Sequence, residues 1–138
     1  MLGLLHLTEV GVVEASFCRH AYALGAVLSR SGDLAIDMDW DPWLALNRRL
    51  SARKMARESR EASATLGRRL IRLVLSLEAD DLLHQALDAA KDTDLHHATV
   101  FGLLGGYWDL GENDTVAALL QQMLTGLVSA CQRLMPLG

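Results

Sequence analysis

Apolar residues recur every three or four positions along nearly the whole chain. That spacing lines one face of a helix and does not suit a strand, whose faces alternate with a period of two. From Thr8 to Arg30 the positions Val10, Val13, Phe17, Ala21, Leu24 and Leu28 share a face, and Ser31-Gly32-Asp33 ends the pattern. Asp41-Pro42 reads as an N-cap followed by proline at the first helical position, where a missing amide costs nothing, so a short helix through Leu50 is expected. Ser51 to Leu77 is expected to form the longest helix, burying Ala62, Leu66, Leu70, Leu73 and Leu77, with Lys54–Glu58 and Arg57–Glu61 paired along its surface. Gly67 costs that helix about 1 kcal/mol relative to alanine, which suggests a close backbone approach by another helix there.

Asp80 and Asp81 can begin a fourth helix carrying Leu83, Ala86, Leu87 and Ala90, which runs out in the polar connection Lys91 to Asp94. A fifth should span His96 to Leu110 and close at Gly111, a residue that tolerates a left-handed backbone. The last, from about Thr115 to Leu134, has the cleanest pattern: Val116, Leu119, Leu120, Met123, Leu127, Val128, Cys131 and Leu134 on one side, with Pro136 as its stop. Leucine and alanine dominate the 51% hydrophobic content and aromatics make up 5%, which also favours helices. The expected fold is all-α: a compact antiparallel bundle of about six helices, with residues 1–138 as a single domain.

The chemistry-bearing residues form no recognisable catalytic or metal pattern. The five histidines, His6, His20, His84, His96 and His97, lack the recurrent spacing of a zinc site. Neighbours on a helix project about 100° apart, so His96 and His97 are expected at a helix start or on the surface. The same argument separates Cys18 from His20 as nucleophile and base. Cys18 and Cys131 each lie in an apolar pattern and are expected to be reduced and buried. Gly102-Leu103-Leu104-Gly105-Gly106 has no Lys-Ser/Thr and follows no strand, so it is read as a packing surface and not a phosphate loop. Asp37, Asp39 and Asp41 alternate as in a calcium loop but lack its glycine and distal glutamate. No cofactor is assigned.

A formal charge of -4 gives no footprint for nucleic acid, and no uncharged apolar run approaches the ~20 residues needed to span a bilayer. With no basic leader at the start, the expected location is the cytoplasm. The unusual segment is Arg57-Glu58-Ser59-Arg60-Glu61-Ala62-Ser63, followed by Gly67-Arg68-Arg69. Arg57, Arg60, Ala64 and Arg68 fall along one side, where guanidinium groups suit recognition of a protein surface.

These residues resemble the UreF family of urease accessory proteins, whose middle region carries Arg-Glu-x-Arg-x-Ala-Ser and then a glycine with basic and leucine neighbours. A second block, His97-Ala98-Thr99-Val100-Phe101-Gly102, is similar to the family's His-x-x-Val-Phe-Gly. A third, Leu127-Val128-Ser129-Ala130 and Arg133-Leu134-Met135-Pro136-Leu137-Gly138, resembles its Leu-Val-Ser-Ala and Arg-Leu-x-Pro-Leu-Gly. The three blocks come in the family's order. The family's Pro-x-Gly turn, its Ser-x-Gly-Leu-Glu motif and its Gln-rich continuation are not found, so both ends are expected to be missing.

The resemblance implies an all-α, non-enzymatic accessory protein that dimerises, binds UreD (UreH in some organisms) and recruits the GTPase UreG to deliver nickel to apo-urease. It marks Arg57, Glu58, Arg60, Ser63, Gly67 and Arg68 as an interaction face, with His97, Phe101, Gly102 and Arg133 as further matched positions. Two readings compete with it: an unrelated helical enzyme whose pocket uses His97, Tyr107 or the arginines, and a helical homodimer with no urease role.

Overall fold

The computed structural model describes residues 2–32 and 38–135, with side chains from Glu9 onward. Among them are six helices and no strand: α1 (Leu2–Ser31), α2 (Asp41–Arg53), α3 (Arg57–Leu77), α4 (Asp81–Ala89), α5 (His97–Tyr107) and α6 (Glu112–Leu134). Asp33, Asp37, Pro136, Leu137, Gly138 and the side chain of His6, which figure in the sequence analysis, lie outside the described residues.

Helix α5 is the axis of the bundle, with eight of its eleven residues buried. It packs most extensively against α1, then α3 and α6. The α1–α5 contact is backbone to backbone. A Cβ at Gly102 would overlap the Cys18 carbonyl of α1, and one at Gly106 the Tyr22 carbonyl a turn further on. The small residues of the fifth pattern therefore serve packing, as expected. On α1, Phe17, Cys18, Ala21 and Leu28 face the core, and on α2 the positions Trp43, Leu46, Asn47 and Leu50 do so at the i, i+3, i+4, i+7 spacing of one face.

Helix boundaries depart from those expected at several places, and α1, with 30 residues, is longer than α3, with 21, which the spacing had made the longest. Trp40, not Asp41, is the N-cap residue of α2, and the Asp39 carboxylate accepts the Asp41 N–H at 3.0 Å. Helix α3 does not start at Ser51, because the chain breaks helical form at Lys54-Met55-Ala56. No glycine or proline forces that break. The Lys54 ammonium pairs with the buried Glu14 of α1, and Arg60 donates to the freed carbonyls of Lys54 (2.8 Å) and Met55 (3.0 Å). Lys54 is therefore tied to α1 and not to Glu58. The Arg57–Glu61 pair forms as expected, at 2.8 Å.

Helix α5 ends at Tyr107, and its left-handed terminator is Asp109 (φ 54°), not Gly111. Leu110 N donates to Gly105 O at 2.9 Å and Asp109 N to Gly106 O at 3.2 Å, the bond pair of a Schellman cap. Gly111 (φ 97°) instead opens α6. Asp80 caps α4, its carboxylate accepting Leu83 N at 3.0 Å, so that start is as expected.

Two expected core stripes turn out to face solvent. On α3 the inward residues are Gly67 and Ile71, with Leu70 and Val74 half-buried, while Leu66, Leu73 and Leu77 are exposed. Gly67 sets this rotation. A Cβ there would overlap the carbonyl of Leu95, so the close approach is by the segment leading into α5 and not by a helix. On α6 only Thr115, Val116 and Leu119 are buried; Leu124, Leu127, Val128 and Leu134 are exposed, and Cys131 is an exposed thiol.

Candidate functional site

The arginine-rich motif divides by what each side chain touches. Arg57 and Glu58 are exposed at the first turn of α3, with Arg57 held along the helix by Glu61. Arg60 is engaged on the α2–α3 connection. Arg68 reaches across to α4, its Nη2 donating to Ala90 O at 2.6 Å and Thr93 O at 2.7 Å. These bonds satisfy carbonyls at the end of a short helix, so Arg68 does structural work. Ser63 and Gly67 face the segment before α5, and Arg69 and Arg72 stay exposed.

Behind this helix lies a buried polar hub that the sequence reading missed. His96 is fully buried; its Nε2 meets Ser51 Oγ at 2.7 Å and its Nδ1 meets Ser63 Oγ at 2.9 Å. Its backbone N–H donates to Asn47 Oδ1 at 3.0 Å, which also accepts from Thr99 Oγ1, and Asn47 Nδ2 donates to Trp43 O at 3.0 Å. The hub ties α2, α3 and α5 together at one point. Burial, with the Lys54 charge adding to it and Asp94 opposing, lowers the His96 pKa to about 4, so the ring is neutral near pH 7. One signal was available: Asn47 occupies a position in the apolar register of α2, where a polar side chain needs partners.

The other candidates do not converge. His97 Nε2 meets Gln122 Oε1 of α6 at 3.2 Å, its ring lies 5.8 Å from that of Phe101, and its Nδ1 is buried with no partner among the described residues. Tyr107 stands ten residues further along the same helix, about 15 Å along the axis. Its hydroxyl donates to Asp80 at 2.7 Å, and burial, then the Asp80 carboxylate, raise its pKa to about 12. Burial likewise raises the Cys18 thiol to about 11, while His20 Nδ1–H donates to Ser16 O at 2.8 Å on its own helix. Among the described residues no three His, Cys, Asp or Glu side chains are grouped to hold a metal, and no helix is long and apolar enough to cross a membrane.

What the fold does present is apolar surface. Between α3, α5 and α6 lies a cleft of about 320 Å³ lined by Leu70, Val74, Phe101, Leu104, Trp108 and Leu110. The exposed Leu66, Leu73 and Leu77 of α3 continue its wall outward. Apart from it, α6 exposes Leu120, Leu124, Leu127, Cys131 and Leu134 at the alternating four- and three-residue spacing of a coiled-coil seam, about 21 Å long. Arg133 is exposed on α6, about 140° around the helix from that seam. Soluble proteins rarely leave contiguous apolar surface uncovered unless it meets a partner.

The described residues form a helical core with apolar faces turned outward. Comparison with known proteins gives the particular case. The UreF family profile matches residues 4–138. Urease accessory protein UreF of Actinobacillus pleuropneumoniae is 33% identical over 119 residues, covering 85% of this chain and 52% of that protein. Its namesake in Haemophilus influenzae (strain ATCC 51907 / DSM 11121 / KW20 / Rd) is 33% identical over the same share of this chain and 51% of its own. That of Picosynechococcus sp. (strain ATCC 27264 / PCC 7002 / PR-6) is 31% identical over 111 residues, 78% of this chain and 46% of its own. No solved structure matches. The chain belongs to the UreF family of urease accessory proteins, a family of accessory proteins and not of enzymes. It spans about half the length of the curated relatives it matches.

Proposed function

We propose that this chain acts in urease maturation as a docking scaffold: it binds UreD/UreH, recruits the GTPase UreG, and so assists nickel insertion into apo-urease. The observation that carries the reading is the match of residues 4–138 to the UreF family. The exposed apolar faces support it, because they supply contact area that the bundle itself does not use. Its contribution is geometric, holding a GTPase and a scaffold so that nucleotide state is coupled to metal transfer.

Within this reading Arg57 and Glu58 contact a partner directly, while Arg60, Ser63, Gly67 and Arg68 hold α3 in the position that presents them. His97 and Phe101 set the α5 face beside the cleft, Gly102 seats α5 against α1, and Arg133 is exposed near the end of α6. The α6 seam pairs with a second copy of the chain, since the residues flanking it, Gln121, Met123, Val128 and Ala130, are uncharged and oppose no self-contact. Co-expression with UreD/UreH and UreG from the same organism, followed by affinity purification and sizing, tests the proposal. A stoichiometric complex is the expected result, and chains that elute separately at micromolar concentration would refute it. Leu124→Glu with Leu127→Glu is expected to convert a dimer to a monomer by analytical ultracentrifugation.

A further inference from the structure

The arginines of this protein are not spread over its surface. Nine of the thirteen Lys and Arg residues lie between Arg48 and Arg72, against only two acidic residues, Glu58 and Glu61, in the same stretch. Lys54, Arg57, Arg60 and Arg68 are engaged within the chain. Arg69 and Arg72 are exposed and enter no ion pair among the described residues. From Ala62 to Leu77 helix α3 has no acidic side chain at all.

At about 100° per residue, Leu66, Leu73 and Leu77 lie within ~40° of one another on α3, and Arg69 and Arg72 lie along one edge of that stripe with Thr65 and Ser76. The opposite edge runs through Leu70 and Val74 into the apolar cleft. Exposed leucines, a cleft on one side and unpaired guanidinium groups on the other form a surface with two chemistries side by side. An aliphatic strip prefers the apolar face of a helix. Guanidinium forks prefer carboxylates, and their planar geometry favours bidentate pairing.

Resting on the reading of this chain as a docking scaffold, we propose that the α3 face takes an amphipathic helix of a partner protein whose leucine-type residues cover Leu66, Leu73 and Leu77 and whose Asp or Glu side chains pair with Arg69 and Arg72. The same arginines without the leucines would suit a nucleic acid backbone. The exposed apolar strip, with the net charge of -4, favours a protein segment.

The test uses the full chain and two fluorescein-labelled 21-residue peptides with leucine at heptad positions a and d. One carries glutamate and the other lysine at the flanking positions, and binding is read by fluorescence anisotropy. The acidic peptide is expected to bind at least about tenfold more tightly than the basic one, with the preference weakening as salt rises. Arg69→Glu with Arg72→Glu should reverse the preference, and Leu66→Ser with Leu73→Ser should weaken binding of the acidic peptide. All four side chains are exposed, so circular dichroism should be unchanged. Arg48→Glu with Arg49→Glu on α2 should leave the preference intact. Equal affinity for the two peptides would overturn the proposal. So would indifference to reversal at Arg69 and Arg72, an equal effect of the α2 pair, or tighter binding of a duplex DNA of the same length. A failure to assemble with UreD/UreH or UreG would instead count against the urease role and leave the peptide result standing.

Discussion

Protonation of His96 should unfold this protein from a defined point. The ring is fully buried with both nitrogens on serine hydroxyls, an arrangement that suits neutral imidazole, and its pKa falls from 6.5 to about 4 on folding. Because the folded value lies below the unfolded one, the stabilisation is fully present above pH 6.5 and is lost as pH falls toward 4. At 1.36 kcal/mol per pKa unit, a shift of this size corresponds to about 3 kcal/mol, a sizeable share of a domain's total stability. The carboxylates titrate in the same range, so the informative quantity is a difference between proteins. Urea denaturation of wild type and His96→Gln, measured from pH 7.5 to 4, should give a stability gap that is widest at pH 7 and narrows by about 3 kcal/mol by pH 4. A gap that stays constant across this range would refute the assignment of His96 as a buried neutral hub.

Gly67→Ala should cost about 3 kcal/mol or more in thermal denaturation, since the new methyl meets the backbone carbonyl of Leu95 and a backbone yields less than a side chain. Gly126→Ala on α6 has open space around it and should stabilise by about 1 kcal/mol; a loss there would mean the glycine serves a contact this fold does not contain. Lys54→Met should destabilise by about 3 to 5 kcal/mol by leaving the Glu14 carboxylate buried and unpaired, and adding Glu14→Leu should restore much of that loss in denaturant titrations. Under native conditions a thiol reagent should label Cys131 rapidly and Cys18 only on unfolding, because Cys18 is buried and its thiol is held protonated up to about pH 11.

The apolar periodicity and the leucine and alanine content were enough to specify an all-α chain and to place its helices, since helix formation follows from local spacing and propensity. The Asp80 cap and the packing role of Gly102 were also legible, each being a local rule with one physical reading. The ordered motifs around Arg57, His97 and Arg133 pointed to the family that the profile match then established. What the spacing left open was which way each stripe faces. A leucine face on α3 satisfies a helical pattern equally well inward or outward. Only the meeting of Gly67 with Leu95, and the reach of Arg68 to Ala90 and Thr93, turned Leu66, Leu73 and Leu77 to solvent. The α2–α3 break at Lys54 has the same origin, because its partner Glu14 lies 40 residues away. So does the His96 hub, assembled from Asn47, Ser51, Ser63 and Thr99 on three helices. Local sequence determines what forms a helix. Contacts between residues far apart along the chain decide which helical faces are buried and which are left for a partner.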